Sequence, residues 1–365
     1  MTHIGIDARL THYRAGGTST YIRALLAEFA QDSTNQYTVI QSRKQAEPLV
    51  PRLKHVKAWT PPHHWLERIA FSAELLRLRL DVLHSPDFIP PYSGARRHVI
   101  TVHDLAFLLY PDQMTDESRR YYNGQIRAAV NHADHILSVS EATRQDLIDL
   151  LSVPHDKITV QYHGVEPAFK PLTDSQIAPT LRDYRLNAGY FLFVGTIGPR
   201  KNIPGLLGGY ARLREQFKDA PPLVIAGEVG WLAEDLMKAI RSAKGVIYLG
   251  GVAWSDFPAL YNGACALLLP SHYEGFGLPA LEAMACGVVP IVSDRSSLPE
   301  VTGGVGLLVN PDEPDSLRDA LANVMTADAS WLTQQREAAL LRAGQFTWAR
   351  SAAIAREVYR KVTLL

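Results

Sequence analysis

Two cysteines, Cys265 and Cys286, are all that this chain of 365 residues carries. Both fall in apolar surroundings. That excludes a disulfide framework and a cysteine-built metal cluster, and it reads as two small buried hydrophobes in a reducing compartment. Surplus charge is lacking too: Lys plus Arg and Asp plus Glu both number 37, so no global basic field argues for a nucleic-acid partner. No apolar run approaches the ~18 residues of a membrane-spanning helix. The N-terminus enters an apolar strand directly, without a basic leader region or cleavage site. No repeat of roughly 20–50 residues recurs, and nothing is of low complexity. What is present is ordinary globular material, 47% apolar and 20% charged, in a chain too long for one core. Two domains in a cytoplasmic enzyme are the expectation.

The most informative stretch runs from Ala266 to Val292. Ala266 to Leu269 is a short apolar run stopped by Pro270, the pattern of a buried strand. A loop with Gly275 and Gly277 follows. Pro279 suits the start of a helix, where its missing N–H is no loss, and Gly287 suits the left-handed cap that ends it. Val288 to Val292 reads as the next strand. Glycines before a helix N-terminus let the backbone approach an anion, and the unpaired N–H groups there favour phosphate. Two carboxylates flank the same loop: Glu274, and Glu282 in the first turn of the helix. Beside a phosphate they serve another part of the ligand, and carboxylates accept hydrogen bonds from neighbouring hydroxyls. A ligand with a diphosphate in the middle and a polyol at each end meets both needs. Nucleotide-sugars have that form.

The rest of the chain alternates strand and helix. His3 to Asp7 is a first strand, and Ala15-Gly16-Gly17-Thr18 leads into a helix with Tyr21, Ile22, Leu25, Leu26 and Phe29 on one face. Tyr37 to Gln41 is a second strand. A helix from His64 to Leu80 carries Leu66, Ile69, Ala70, Ala73, Leu76 and Leu80 at helical spacing, flanked by Arg68, Arg77 and Arg79. Two readings stay open: a core-packed helix with a solvated rim, or a peripheral membrane contact. His63 and His64 have no third ligand at metal spacing. Arg97 to Val102 is a strand ending in His103-Asp104, the end at which parallel sheets bind ligands. Helix Thr115 to Ala133, strand His135 to Val139, Ser140 as an N-cap and strand Ile158 to Tyr162 follow. The proline-bearing segment 166–187 is the domain boundary. The pattern then restarts with strand Tyr190 to Val194 and the turn Gly195-Thr-Ile-Gly-Pro-Arg200-Lys201-Asn202, whose adjacent cations suit a diphosphate. Strands at 223–226, 246–249 and 266–269 alternate with helices. Three helices close the chain, the last from Trp348 to Val362. The alternation predicts two doubly wound parallel α/β domains.

Glu274-Gly-Phe-Gly-Leu-Pro-Ala-Leu-Glu282-Ala-Met-Ala-Cys-Gly287 resembles the signature of glycosyltransferase family 4, in which two glutamates stand eight positions apart. That resemblance implies the GT-B fold: two Rossmann-like domains with an interdomain cleft. An acceptor-side domain would occupy 1–170, a nucleotide-sugar domain 185–346, and the terminal helix (347–365) would pack back on the first. It implies a retaining hexosyltransferase of the mannosyltransferase-like kind, needing no metal or other cofactor. The partners would be a GDP- or UDP-linked sugar and a glycan or lipid-linked acceptor. The roles it implies are His103, Arg200, Lys201 and Glu274 at the reaction centre. Gly16, Gly17, Val252, Gly275, Phe276, Gly277, Leu278 and Glu282 would hold the donor, Glu282 on its ribose. The Gly-Pro-Arg-Lys-Asn turn leans the donor to GDP-mannose, with UDP-glucose or another UDP-sugar next, for a glucosyl- or N-acetylglucosaminyl-type transferase. Two departures stand out: Thr196 where several members carry Arg, and His163 where relatives carry Asn. An epimerase of nucleotide-sugars, or a silent sugar-nucleotide binder, are the alternatives.

Overall fold

The structure, a computed structural model, describes residues 1–13, 16–64, 66–113 and 116–365, without side chains at 113 and 116–120. Ala15, Trp65 and Thr115, at the edges of elements expected above, lie outside the described residues. The chain divides into two compact units: Met1–Leu109, Asp116–Gly164 and Thr347–Leu365 form one, and Tyr110–Thr115 with Val165–Phe346 form the other.

The first unit is built on β1 (His3–Asp7), α1 (Gly17–Phe29), β2 (Gln36–Ser42), β3 (Lys54–Ala58), α2 (Glu67–Leu75), β4 (Leu80–Ser85), β5 (Ala95–Val102), α3 (Ala106–Leu109), α4 (Asp116–His132), β6 (His135–Ser138), α5 (Glu141–Leu151) and β7 (Ile158–Val160). Among the described residues its seven strands lie in the order β3-β2-β1-β4-β5-β6-β7 and every pairing is parallel. Strand order reverses between β1 and β4, which opens a crevice beyond their carboxyl ends. Gly16 starts α1 at φ 112, a backbone angle that glycine adopts without strain. Ser140 caps α5 by accepting the Thr143 N–H at 3.0 Å.

Two features of this unit depart from the sequence reading. Strands β3 and β4 were both missed. The helix expected over 64–80 ends at Leu75; a 3-10 turn over Leu76–Leu78 and Arg79 at φ 51 turn the chain, and Leu80 begins β4. The helix also faces the other way. Phe71 and Leu75 pack against Ile40, Ala58, Leu80 and Leu83, while Leu66, Ile69, Ala70, Ala73 and Leu76 are exposed. Two bulky side chains one turn apart fill the sheet face better than the alanine-rich stripe does, and the charged neighbours on that face find buried partners.

The second unit runs α6 (Asp174–Asp183), β8 (Tyr190–Val194), α7 (Ile203–Gln216), β9 (Leu223–Ala226), α8 (Glu234–Ser242), β10 (Val246–Gly250), α9 (Phe257–Gly263), β11 (Ala264–Leu269), α10 (Leu278–Ala285), β12 (Val289–Ser293), α11 (Leu298–Thr302), β13 (Leu307–Val309), α12 (Pro314–Thr326) and α13 (Ala329–Ala343). Its strand order is β10-β9-β8-β11-β12-β13, all parallel, with the reversal between β8 and β11. Helix α6 lies in the segment read as a boundary. A capping box between Thr173 and Gln176 starts it, and Ile177 and Leu181 are buried.

The terminal helix, α14 (Trp348–Thr363), belongs to the first unit. Trp348, Ala352, Ala355, Val358, Tyr359 and Val362 join one core cluster with Tyr21, Leu25 and Phe29 of α1. Gly164 lies against its start, where a Cβ would meet the Trp348 nitrogen at 2.2 Å.

Candidate functional site

The reversal between β8 and β11 brings together two loops that lie about seventy residues apart in sequence. After β8, Pro199–Lys201 form a 3-10 turn ended by Asn202 at φ 53. The Asn202 side chain accepts the Gly205 N–H (3.1 Å), capping α7, and donates to the Pro311 carbonyl (2.7 Å). This pins Arg200 and Lys201 at the strand mouth. After β11, Ser271 to Gly277 form the facing loop, tied back by an N–H of His272 to the Arg200 carbonyl at 3.0 Å.

The two loops meet at Glu274. Lys201 donates to its carboxylate at 2.5 Å, Ser271 at 2.7 Å, and the Arg200 guanidinium stands 3.5 Å away. Arg200 also donates to the Tyr273 carbonyl at 2.9 Å. The Glu274 main chain is held as firmly, its carbonyl accepting from the Ser296 and Ser297 hydroxyls. Burial pushes the Glu274 carboxyl upward, but Lys201 and Arg200, with hydrogen bonds from Lys201 and Ser271, outweigh it and hold it below the ordinary value. The cluster thus keeps two cations and one anion at the end of a buried sheet.

Gly275, Phe276 and Gly277 are buried beside it. Gly277 is the N-cap of α10 at φ 96, and a Cβ there would meet Leu298 at 2.6 Å, so conformation and space both require glycine. Leu278 and Pro279 open the helix. Glu282 is then in its second turn, not the first as the sequence reading had it. Its carboxylate accepts from the Tyr261 hydroxyl at 2.7 Å. Burial pushes the Glu282 carboxyl up to about 7; the Tyr261 bond opposes the rise and Glu166 adds to it. Val252 lies just past β10, at the sheet edge two strands from β8.

In the first unit, His103 follows β5 and its Nε2–H donates to the Pro86 carbonyl at 2.8 Å. A carbonyl only accepts, so this bond fixes the proton on Nε2 and leaves Nδ1 as an acceptor. Burial holds the imidazole below its ordinary pKa, against the opposing pull of Asp87 and Asp104. Asp104 itself accepts the Ala106 N–H at 3.0 Å, just ahead of α3. Gly16 and Gly17 are exposed at the start of α1. His163 is buried against Tyr21 and Trp348.

A second polar cluster, missed in the sequence, occupies the β1/β4 crevice. Asp7, Leu10, Ile22, Pro62, His63, Glu67, Asp87 and Ile89 line a pocket there. Buried Arg9 bonds Asp7 at 2.7 Å and Glu67 at 2.6 Å, donates to the Thr60 carbonyl, and lies 3.5 Å over the Phe71 ring. Glu67 also accepts from the His63 N–H (2.7 Å) and the Tyr121 hydroxyl (3.0 Å), and His63 pairs with Asp87 at 2.6 Å. The available signal was Asp7 at the end of the first strand with Arg9 two residues on; Glu67, His63 and Asp87, which complete the cluster, lie dozens of residues away.

Comparison with known proteins adds family resemblance to this geometry. The profile described as "Glycosyl transferases group 1" matches residues 184–339, and that described as "Glycosyltransferase Family 4" matches residues 15–169. The chain is similar to O-antigen chain mannosyltransferase B of Escherichia coli, at 35% identity over 73% of this chain and 71% of that one. It is similar also to the serotype-specific mannosyltransferase WbdA of Escherichia coli, at 30% identity over 73% of this chain. The match spans about a third, 34%, of WbdA's length. Among solved structures, HepE of Anabaena, in complex with UDP and glucose, superposes with a TM-score of 0.75 at 18% identity, covering 98% of this chain and 99% of that one.

Proposed function

This chain belongs to the family 4, group 1 glycosyltransferases and has the GT-B fold, and on that premise we propose that it transfers mannose, with retention, from GDP-mannose to a hydroxyl of a glycan or lipid-linked acceptor. The observation that carries this reading is the cluster of Lys201, Arg200 and Glu274 at the strand reversal of the second unit. Lys201 and Arg200, with the N–H groups at the start of α10, face the departing diphosphate and neutralise its charge as the C1–O bond breaks. Two fixed cations take the part that a metal plays in other transferases, so no metal is needed. Glu274 accepts from hydroxyls of the transferred sugar, and Glu282 from those of the ribose.

Retention in this reading runs through attack from the leaving-group face. The acceptor oxygen bonds to C1 while the C1–O bond to phosphate breaks, and the acceptor proton passes to a phosphate oxygen. Glu274 is a poor covalent nucleophile, since two cations and a hydroxyl already engage its carboxylate. The pocket lined by Asp7, His63, Glu67 and Asp87 holds acceptor hydroxyls. The mannose assignment is supported by the two relatives described above, which carry mannosyltransferase names. UDP-glucose is the second reading, because HepE was solved with UDP and glucose.

The test is transfer from GDP-mannose and from UDP-glucose to oligosaccharide acceptors, with and without EDTA, scored for the anomeric form of the product. The expected outcome is a mannosylated product of retained configuration, unaffected by EDTA. Nucleoside diphosphate release without acceptor, interconversion of the donor sugar, or an inverted product would contradict it.

A further inference from the structure

Helix α2 carries its apolar stripe outward and its charges inward. Leu66 at its N-cap, Ile69, Ala70 and Ala73 within it, and Leu76 and Arg77 in the 3-10 turn that follows are all exposed, spaced three and four apart. Ile69 is 62% and Leu76 65% accessible. The inward face holds Glu67, Arg68, Phe71, Ser72 and Leu75. Polar partners lock this orientation: Glu67 is bonded to Arg9 and Tyr121, and Arg68 donates to the Pro90 carbonyl at 2.9 Å. Ser72 donates to the Arg68 carbonyl and accepts the Ser93 N–H at 3.1 Å. Rolling the helix to bury the stripe would strand two buried charges, at a cost greater than the apolar area would return. The outward stripe is therefore a fixed feature of the unit.

An exposed aromatic residue stands on each side of it. Trp59, 68% accessible, is tied to α2 by its N–H to Glu74 at 2.8 Å. Tyr92 is tied by its N–H to the Arg68 carbonyl at 3.3 Å. Arg43 lies over the Trp59 ring at 4.4 Å and Arg68 over the Tyr92 ring at 4.0 Å. Arg77 lies within the stripe and Arg79 just beyond it, both exposed. The acid on this face, Glu74, is turned to the N–H groups of Trp59 and Thr60 and to the Thr60 hydroxyl. Aliphatic side chains in a strip, Trp and Tyr at its margins and an arginine surplus match the three layers of a bilayer surface: acyl boundary, interface and anionic headgroup.

We propose that the outward face of α2, with Trp59, Tyr92, Arg77 and Arg79, docks the first unit on a bilayer containing anionic lipid. The inference stands apart from the donor and acceptor assigned above: transfer to a water-soluble acceptor tests those without any membrane.

The experiment is flotation of the full chain with vesicles of phosphatidylcholine, alone or mixed with phosphatidylglycerol, at low and high salt. The chain should float with the mixed vesicles, less so at high salt, and poorly with phosphatidylcholine alone. Ile69→Glu with Leu76→Glu should weaken vesicle binding by roughly tenfold or more at an unchanged melting temperature. Leu341→Glu, at a 75% accessible site on the other unit, should float as the parent does. If the double variant unfolds, Arg77→Glu with Arg79→Glu replaces it, with the same expected loss. A parent that stays out of the vesicle fraction overturns the proposal, as do folded variants that float undiminished. So does a dimer, seen by light scattering, that the Ile69/Leu76 variant dissolves, since the face would then belong to a second copy.

Discussion

Lys201 and Glu274 show how a pair of residues can be read singly and still be misjudged together. The sequence marked each as a ligand group for a different part of the donor. It did not reveal that they bind one another, because their contact comes from the adjacency of β8 and β11 and not from spacing along the chain. Their coupling makes a specific prediction. Lys201→Ala should slow turnover by about 10²-fold or more and lower stability by about 3 kcal/mol, since it leaves buried Glu274 short of its main counter-charge. Adding Glu274→Gln to that variant should restore much of the melting temperature but none of the activity, a non-additivity expected of contacting charges. A double variant no more stable than Lys201→Ala would refute the coupling. Glu282 gives a prediction in pH. Its carboxyl moves from an ordinary 4.5 up to about 7 on folding. Between those values the folded chain keeps a proton that the unfolded chain has lost, so this group's stabilising share falls as pH rises through the window and is level above it. Denaturant melts of Glu282→Gln should lack that fall. If the variant and the parent show the same pH slope between 4.5 and 7, the assignment is wrong.

At the scale of elements, strands and helices were legible where local chemistry and tertiary packing agree. The run from β11 through α10 to β12 was read to within a residue or two, because Pro270, Gly277 and Gly287 punctuate it as their backbone angles require. Where the two disagree the reading failed. Helix α2 has a clean apolar period that faces water, because the period does not count the volume of Phe71 or the partners of Glu67 and Arg68. Strand β4 begins at Leu80, directly after Arg79, so its first residue fell within the expected helix and the rest was given no element. Helix α6 hid behind three prolines, although Thr173 and Gln176 announced it. Two glycines test how tightly the elements are set. Gly277→Ala must adopt φ 96 and displace Leu298, and it should cost about 2 kcal/mol while weakening nucleotide binding. Gly164→Ala collides with the backbone at the start of α14 and should loosen that helix from α1. Hydrogen exchange should report that loosening as lost protection over 348–363, and unchanged protection there would refute the close approach.

The whole molecule repeats one device: a parallel sheet whose strand order reverses, with polar groups gathered beyond the reversal. The second unit's cluster was legible because Arg200 with Lys201, and Glu274, each lie in a recognisable window. The first unit's cluster stayed hidden, because Asp7 with Arg9, Glu67 and Asp87 come from three separate segments. The two units should also respond differently to acid. Burial holds His84 at about 3 and His98 and His135 at about 4, and keeps His163 well below its ordinary value, all in the first unit. Below about 6.5 the unfolded chain binds protons that these groups refuse when folded, so the first unit loses stability as pH falls. Hydrogen exchange at pH 7 and pH 5 should show protection falling further there than in the second unit, where Glu282 works in the opposite direction. That the second unit holds the guanosine diphosphate end of the donor through Glu282 and the Arg200–Lys201 turn can be decided by calorimetric titration. GDP and UDP would each be titrated, in EDTA, into the full chain and into Glu282→Ala. GDP should bind the parent more tightly than UDP, and Glu282→Ala should weaken GDP binding by roughly tenfold or more. Tighter binding of UDP would contradict the donor assignment, and undiminished binding of GDP to Glu282→Ala would contradict the site.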